Sequence, residues 1–169
     1  MPCCLVGSEM CIRDSPSPEF VSWAEEYSEV MTCDIEGRFP WTFYLPRDPN
    51  SFGEVMGDDG YFASEFLACD FNEGKSNSDL RATVVAFNEY LDENDSQSPY
   101  FFGVYYPEYE NSENDFLWGN WHSTFETMKA GNADWEENGK AIQAKFDEIS
   151  TCMSPDYYDS WELYNDPNS

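Results

Sequence analysis

The sequence predicts an α+β fold in which helices pack against one sheet. Apolar residues alternate with a period of two in several segments and recur at spacings of three and four in others, which indicates strands and helices respectively. The chain has 169 residues, enough for one domain or slightly more. Aromatic residues make up 18% of it, whereas disordered acidic chains are poor in aromatics. A packed core is therefore expected.

A short pattern occurs twice along the chain, shifted by 119 positions. Residues 27–33, which end in Thr-Cys, resemble residues 146–152, and residues 41–44 resemble residues 161–164 with one residue inserted. This doubling predicts two copies of one structural unit. Chance similarity between short acidic and aromatic strings is the alternative explanation.

The organisation predicted from this doubling has three parts. Residues 1–15 resemble the translation of a sequencing adapter, and they have neither the basic start nor the continuous apolar core of a signal peptide. We expect them to be non-native, with the true N-terminus and any export signal missing. Residues 16–57 are then the C-terminal remnant of a first repeat with its linker, and residues 58–169 form one complete repeat.

The net charge of −26 excludes several kinds of partner. Binding to nucleic acid requires Lys and Arg to neutralise phosphates, so nucleic acid is a poor partner, and an anionic membrane surface is equally unfavourable. No window approaches the roughly 20 consecutive apolar residues of a membrane span. The charge indicates a solvated surface, adapted to salt in one interpretation.

Two elements precede the turn-rich segment 46–60, where the repeat boundary is predicted. Residues 16–33 are expected to form a helix, because their apolar residues recur at spacings of three and four. Residues 39–45 are expected to form a short strand. Pro40 cannot donate a ladder hydrogen bond, so this strand should lie at an edge of the sheet.

The complete repeat begins with a predicted strand over residues 61–71 and a turn over residues 72–77. Ser78 is expected to cap the helix that follows. The buried stripe of this helix is predicted to comprise Leu80, Val84, Phe87 and Leu91.

A hairpin and a second helix complete the pattern. Residues 100–106 form a strongly predicted strand, with residues 115–122 as its partner. Ser123 and Glu126 have the spacing of a capping box. The helix that starts there is predicted to break at Gly131-Asn132 and to resume as far as Ile149. A last strand is expected over residues 160–165.

This order, strand-helix-strand-strand-helix-strand, is the ferredoxin-like split βαβ (βαββαβ) pattern. The aromatic hairpin end over residues 118–122, followed by Phe125, Met128 and Trp135, resembles the dimeric α/β-barrel superfamily, in particular its NIPSNAP and antibiotic-biosynthesis-monooxygenase branches. The resemblance covers about residues 61–164 and is one of pattern, without a specific catalytic motif. It implies that the repeat is half of an α/β barrel.

Both faces of the predicted hairpin are apolar. Tyr100, Phe102, Val104 and Tyr106 share one face, and Phe101 belongs to the other. A sheet that is apolar on both faces must be covered on both. Two helices cover only one face, so a sister repeat or a second chain is the expected partner of the other.

His122 is the only histidine and the first candidate for chemistry. Strand alternation places Trp118 and Asn120 on its face, and Tyr100 and Tyr106 are expected to add hydroxyl groups. These five residues are the predicted ligand-binding site, with His122 as the candidate proton-transfer group. The alternative is a histidine that satisfies local backbone groups and an aromatic strand face that is simply core.

No pattern in the chain indicates a metal or a cofactor. The glycines at 53, 57 and 60 lie among acidic residues without a following Lys, which opposes phosphate binding. The acidic segments 92–95 and 108–115 do not have the spacing of an EF-hand loop. The sequence therefore predicts neither a metal site nor a cofactor.

Cysteines connect the fold to a compartment. With residues 1–15 set aside, Cys33, Cys69 and Cys152 remain, and the repeat matches Cys33 with Cys152. In the split βαβ pattern the first strand and the second helix end at the same edge, so a Cys69–Cys152 disulfide is predicted. The alternative is two buried free thiols. A disulfide would indicate an oxidising, extracytoplasmic (periplasmic or secreted) location.

No specific activity follows from these residues. The favoured function is that of an exported acidic module that binds a small apolar or aromatic molecule or assembles through its sheet face. The alternative, implied by the resemblance, is a cofactor-free oxygenase or isomerase in which His122 and the tyrosines handle protons.

Overall fold

The structure is a computed structural model that describes residues 22, 25–28, 39–47, 55–94 and 99–162. The chain divides into two compact units, residues 1–39 and residues 40–169. Residues 1–15 and most of the predicted helix over residues 16–33 lie outside the described residues. Of the residues described in 16–33, Ser22, Glu25 and Glu26 are helical. The predicted division after residue 57 stays a prediction.

The second unit contains nine described elements. In chain order they are β1 (Trp41–Tyr44), β2 (Tyr61–Phe71), α1 (Asn77–Glu93), β3 (Tyr100–Pro107), β4 (Phe116–His122), α2 (Phe125–Asn138), α3 (Lys140–Asp147), β5 (Ser150–Cys152) and β6 (Asp156–Trp161). The fold is α+β, as predicted.

All six strands belong to one antiparallel sheet in the order β1-β3-β4-β2-β5, and β6 also pairs with β2. Since β4 occupies one side of β2, the strands β5 and β6 share its other side, with β5 beside residues 69–71 and β6 beside residues 61–66. The strand β1 lies at the opposite edge of this sheet, in agreement with the edge position predicted from Pro40. This topology is compatible with a ferredoxin-like fold.

The core lies between the three helices and one face of the sheet. Leu80, Val84 and Phe87 of α1 are at most 5% exposed, and they contribute to the same apolar cluster as Phe102 and Phe116 of the sheet. The predicted stripe of α1 is therefore confirmed for these three residues, because side chains spaced at three and four turn towards the strands. Leu91, its fourth member, is half-buried. None of the described helices combines the length and the apolarity that a bilayer crossing requires.

The predicted cap of α1 is wrong by two residues. Ser76, not Ser78, is the N-cap, because its extended backbone precedes the first helical residue. The Ser76 side chain makes no bond to a helix N–H group, and its hydroxyl lies 2.7 Å from Oδ2 of Asp79.

The predicted capping box of α2 is wrong by one residue. Thr124 caps the helix, and its Oγ1 accepts a hydrogen bond from the Thr127 N–H at 3.1 Å. In return Oγ1 of Thr127 accepts one from the Thr124 N–H at 3.0 Å. Ser123 and Glu126 have the right spacing, but the chain enters the helix one residue after Ser123.

The helix break and the last strand also differ from prediction. The helix α2 continues through Gly131-Asn132 and ends at Asn138, so that the break falls at Gly139. The segment after α3 forms β5 before β6, and β6 ends at Trp161 instead of residue 165. Cys152 pairs directly with Cys69 and so holds this segment against β2. The last strand therefore begins at Asp156, before the predicted residue 160.

A disulfide joins Cys69 and Cys152, as predicted, with an S–S distance of 2.05 Å. The two residues face each other in the ladder between β2 and β5. The Met153 N–H donates to the Ala68 carbonyl, which marks the cysteines as a non-hydrogen-bonded pair, the closer of the two pair types in antiparallel sheets. Their Cα atoms are accordingly only 4.0 Å apart, nearer than the roughly 4.4–6.8 Å usual for disulfides.

Replacement of Cys152 by Ser should lower the free energy of unfolding by up to about 4 kcal/mol, because the bond closes a loop with a sequence separation of 83 residues. Urea unfolding with and without a reducing agent measures this. The reducing agent should destabilise the wild-type chain and leave Cys152→Ser unchanged. Equal sensitivity of the two chains would contradict the Cys69–Cys152 pairing.

Candidate functional site

Four of the five predicted site residues come together on the helix-facing side of the sheet. Asn120 lies at their centre, where its Oδ1 accepts hydrogen bonds from the Tyr100 hydroxyl and from Trp118 Nε1, both at 2.7 Å. His122 faces Tyr100 across the β3–β4 ladder, and their rings are 4.9 Å apart. Tyr106 lies elsewhere, since its hydroxyl donates to Oδ1 of Asn77 at the start of α1.

The hydrogen-bond partners determine how the Asn120 amide is oriented. The indole N–H of Trp118 can only donate, so the atom that it meets must be the carbonyl oxygen of Asn120. The Nδ2 group of Asn120 therefore points the other way, where it donates to Oε2 of Glu65 at 2.8 Å. This chain of bonds connects β3, β4 and β2.

Glu65 is the site residue that the sequence analysis missed. It is 5% exposed on β2, and its second oxygen, Oε1, accepts a hydrogen bond from Nδ2 of Asn132 in α2 at 3.3 Å. No Lys or Arg forms an ion pair with it within the described residues. The signal was present in the strand alternation, because Glu65 occupies an inward position between the buried Ala63 and the inward-facing Leu67.

We call these residues the Glu65 cluster. Its members are Glu65, Tyr100, Trp118, Asn120, His122 and Asn132. The Glu65 carboxylate accepts two amide hydrogen bonds, and Asn120 connects it to the Tyr100 phenol. The His122 imidazole joins the cluster through its ring contact with Tyr100. Such groups can in principle accept and return protons.

His122 is buried, with 4% of its surface exposed, and its Nδ1 has no hydrogen-bond partner among the described residues. Desolvation lowers the pKa of His122 from 6.5 to about 4, so the ring is neutral at physiological pH. It does not satisfy local backbone groups through Nδ1, which was the structural alternative considered for it.

The two residues that resembled a helix break have other roles in this site. A Cβ atom at Gly131 would lie 3.1 Å from Cε1 of His122, so the glycine lets α2 pass close to the buried ring. Asn132 follows at once and reaches Glu65. Gly131 and Asn132 therefore both contact residues of the sheet, and neither interrupts the helix.

Burial also affects the tyrosines. It raises the pKa of Tyr100, and the nearby Glu65 carboxylate adds to the increase. Tyr157 lies opposite Glu65 in the β2–β6 ladder, and desolvation followed by the same carboxylate raises its pKa too. Both phenols therefore stay protonated at neutral pH and act as hydrogen-bond donors.

The space beside Trp118 is filled by other rings. Trp118 stacks on Phe102 with a centroid distance of 5.0 Å and meets Phe146 of α3 edge-on at 5.3 Å. Phe87 lies 5.9 Å away on α1. The trio predicted as a pocket, Trp118, Asn120 and His122, thus forms a packed polar centre beside the core, in which His122 is buried and the other two are half-buried.

The other face of the sheet carries a second set of rings, which we call the aromatic sheet face. Its members are Phe43, Phe66, Phe101, Tyr105, Trp121 and Tyr158. Trp121 lies near its centre, 5.0 Å from Phe101 and 5.7 Å from Phe66. At its margins Phe43 is 40% and Tyr158 is 50% exposed. A Cβ atom at Gly103 would lie 2.2 Å from the Phe43 ring, so the glycine lets this ring lie flat on the sheet.

An open groove of about 450 Å³ lies at the junction of α2 and α3 and includes Trp135, Lys140 and Asp147. None of its lining residues belongs to the predicted site. Within the described part of the chain, no three His, Cys, Asp or Glu side chains are placed to hold a metal ion.

Comparisons with protein-family models, with curated proteins and with solved structures find no match to this chain. The assignment of its function therefore depends on the geometry described above.

The pKa of His122 predicts a specific loss of stability in acid. As the pH falls from about 6.5 to about 4, the unfolded chain gains a proton at this histidine that the folded protein does not. The free energy of unfolding should fall over this interval by up to about 3 kcal/mol from His122 alone, and the loss should stop below pH 4.

Urea unfolding of the wild-type chain and of His122→Gln at several pH values isolates this effect, because the carboxylates titrate in both. The wild-type stability should fall more steeply than that of the variant between pH 6.5 and pH 4. Parallel curves would show that His122 is accessible to protons in the folded state.

Proposed function

We propose that this chain is an exported acidic α/β-barrel module, of the dimeric α/β-barrel type, that assembles with a second copy through its aromatic sheet face. The observation that carries the proposal is the exposed aromatic surface at the margins of this face, at Phe43 and Tyr158. Trp121 near its centre is only 8% exposed and adds little to this surface.

The strand order supports a split βαβ unit as the basis of this module. The strands β2 and β3 both lie antiparallel to β4, one on each side, so they run parallel to each other. The helix α1 joins them, and β4 occupies the gap between them. A βαβ unit split by an inserted strand would have this strand order, which supports the proposal.

The exposed rings support assembly more than the capture of a small ligand. Phe43 and Tyr158 leave 40% and 50% of their surface exposed at opposite margins of the aromatic sheet face. Burial of such surface stabilises association by about 25 cal/mol per Å². The site predicted for a small apolar or aromatic molecule is filled by Trp118 and its neighbours, and that role stays a prediction.

The disulfide supports an exported location. Such bonds persist in oxidising compartments and are rare in the reducing cytosol. The net charge of −26 per chain opposes association of two copies, and this repulsion is screened by salt. Assembly of the module should therefore be favoured at high ionic strength.

Size-exclusion chromatography with light scattering tests the assembly. The wild-type chain should have twice the mass of one chain at high salt and should dissociate as salt is lowered. Tyr158→Glu places a charge on the aromatic sheet face and should remain monomeric throughout. Val85→Glu, which replaces an equally exposed apolar residue on α1, should assemble like the wild type. A wild-type chain that stays monomeric at every salt concentration would contradict the proposal.

A second candidate is the cofactor-free oxygenase or isomerase, and Glu65 is the observation that favours it. A buried carboxylate without a cationic partner among the described residues costs several kcal/mol of desolvation, a cost expected where a base is needed. The bonded amides of Asn120 and Asn132 would hold that base in place, and Tyr157 marks the side from which a substrate would approach.

Proton exchange from deuterated solvent into enolisable carbonyl compounds and phenols, with oxygen uptake recorded in parallel, tests this candidate. Glu65→Gln should slow any turnover at least about 100-fold, as loss of a general base does. Glu136→Gln, at an exposed position of α2, is the matched control and should retain the wild-type rate. A wild-type chain without turnover, or a Glu65→Gln chain at full rate, excludes Glu65 as a catalytic base.

A further inference from the structure

The strand β6 carries three exposed aromatic residues, Tyr157, Tyr158 and Trp161. Tyr157 and Trp161 are 54% and 53% exposed, and strand alternation places both on the helix-facing side of the sheet. Tyr61 of β2 faces Trp161 in the ladder, with the two ring centroids 5.3 Å apart and the planes at 62°. The rings of Tyr61, Tyr157 and Trp161 line the outer border of the sheet on the side away from the aromatic sheet face.

A carboxylate lies among these rings. Asp159 occupies the position between Tyr157 and Trp161 on the same face of β6, and it is exposed. The Tyr61 hydroxyl donates to Oδ1 of Asp159 at 2.9 Å, which holds the carboxylate beside the rings. We call Tyr61, Tyr157, Asp159 and Trp161 the β6 aromatic rim.

Among the described residues, no Lys, Arg or His is paired with the Asp159 carboxylate. Residues 48–74, which include β2, and residues 146–169, which include β6, contain no Lys, Arg or His. Glu65 lies opposite Tyr157 on the inner side, which adds a second negative charge behind the rim. The described residues therefore make the potential at the rim negative, and this potential attracts a cationic ligand.

The composition of the rim selects the kind of cation. A compact metal ion requires several oxygen, nitrogen or sulfur ligands, and no three His, Cys, Asp or Glu side chains of the described residues are placed to hold one. Aromatic faces instead attract a diffuse organic cation through their quadrupoles, and quaternary ammonium groups are recognised in this way. A neutral apolar molecule would gain nothing from Asp159.

We propose that the β6 aromatic rim is a binding site for an organic cation of the quaternary ammonium class. The rings of Tyr61 and Trp161 would contact the methyl groups of the ligand, and Asp159 would balance its charge. Tyr157 lies roughly 13 Å along β6 from Trp161 and would border the site. The site lies on the opposite side of the sheet from the aromatic sheet face, so it does not depend on the assembly proposed above.

Titration of the full chain with choline at low ionic strength, followed by NMR, tests the proposal. Choline should bind, and its affinity should fall as salt screens the charge. The neutral isostere 3,3-dimethyl-1-butanol has the same shape without the charge and should bind at least about threefold more weakly. Equal affinity for the two compounds, or no binding of choline, would overturn the proposal.

Two variants locate the site. Trp161→Ala should weaken choline binding by about threefold or more. Asp159→Asn keeps an acceptor for the Tyr61 hydroxyl, so it preserves the strand pairing and should weaken choline binding without changing the affinity for the neutral isostere. This second variant decides the matter if Trp161→Ala fails to fold. Val85→Ala on α1 is the control, and a loss of choline binding in Val85→Ala equal to that in the rim variants would overturn the assignment.

Discussion

The buried Glu65 carboxylate is the constraint on which the arrangement of this core depends. A carboxylate with 5% of its surface exposed is tolerated only if its oxygens receive hydrogen bonds. Asn120 and Asn132 supply them from β4 and α2, and the orientation of Asn120 is in turn determined by Trp118. The Asn132 bond favours one position of the second helix on the sheet, because a shift of α2 would leave Oε1 of Glu65 without this donor. The close passage of Gly131 over His122 is a consequence of the same position.

The two sides of the sheet have different physical characters. The helix-facing side combines an apolar cluster at one end with the polar Glu65 cluster at the other, and its rings interlock closely enough to fill the space around Trp118. The opposite side consists of aromatic rings that leave part of their surface exposed at its margins. A chain with a net charge of −26 must balance this apolar surface against electrostatic repulsion whenever copies approach. Salt screens this repulsion and therefore favours association through the aromatic sheet face.

Strand alternation was a reliable guide to the site because it depends only on a period of two. It placed Trp118, Asn120 and His122 on one face, and the structure connects the three with Tyr100 as expected. Tyr106 has the same parity but lies near Asn77, since parity does not specify position along a strand. Glu65 was missed because it is one of 34 acidic residues, and only its neighbours across the sheet distinguish it from the solvated ones. The repeat stays a prediction: Trp41 begins β1, whereas its proposed counterpart Trp161 ends β6.

The sequence by itself determined the α+β class and the two-faced apolar hairpin, because these depend on local periodicity and on the order of the elements. It also predicted the Cys69–Cys152 disulfide, but from the end of a helix, whereas the structure places Cys152 in β5 directly opposite Cys69. The sequence did not determine the helix caps or the place of the helix break. The cap of α2 is Thr124, one residue after the predicted Ser123, and the break is at Gly139, eight residues after the predicted Gly131. Gly131 resembles a helix breaker in isolation, and only the tertiary structure shows that it is a contact point for His122. The reason is that a polar group can be buried only if it finds hydrogen-bond partners, and these partners lie on elements that are distant in sequence. A local sequence pattern does not identify them.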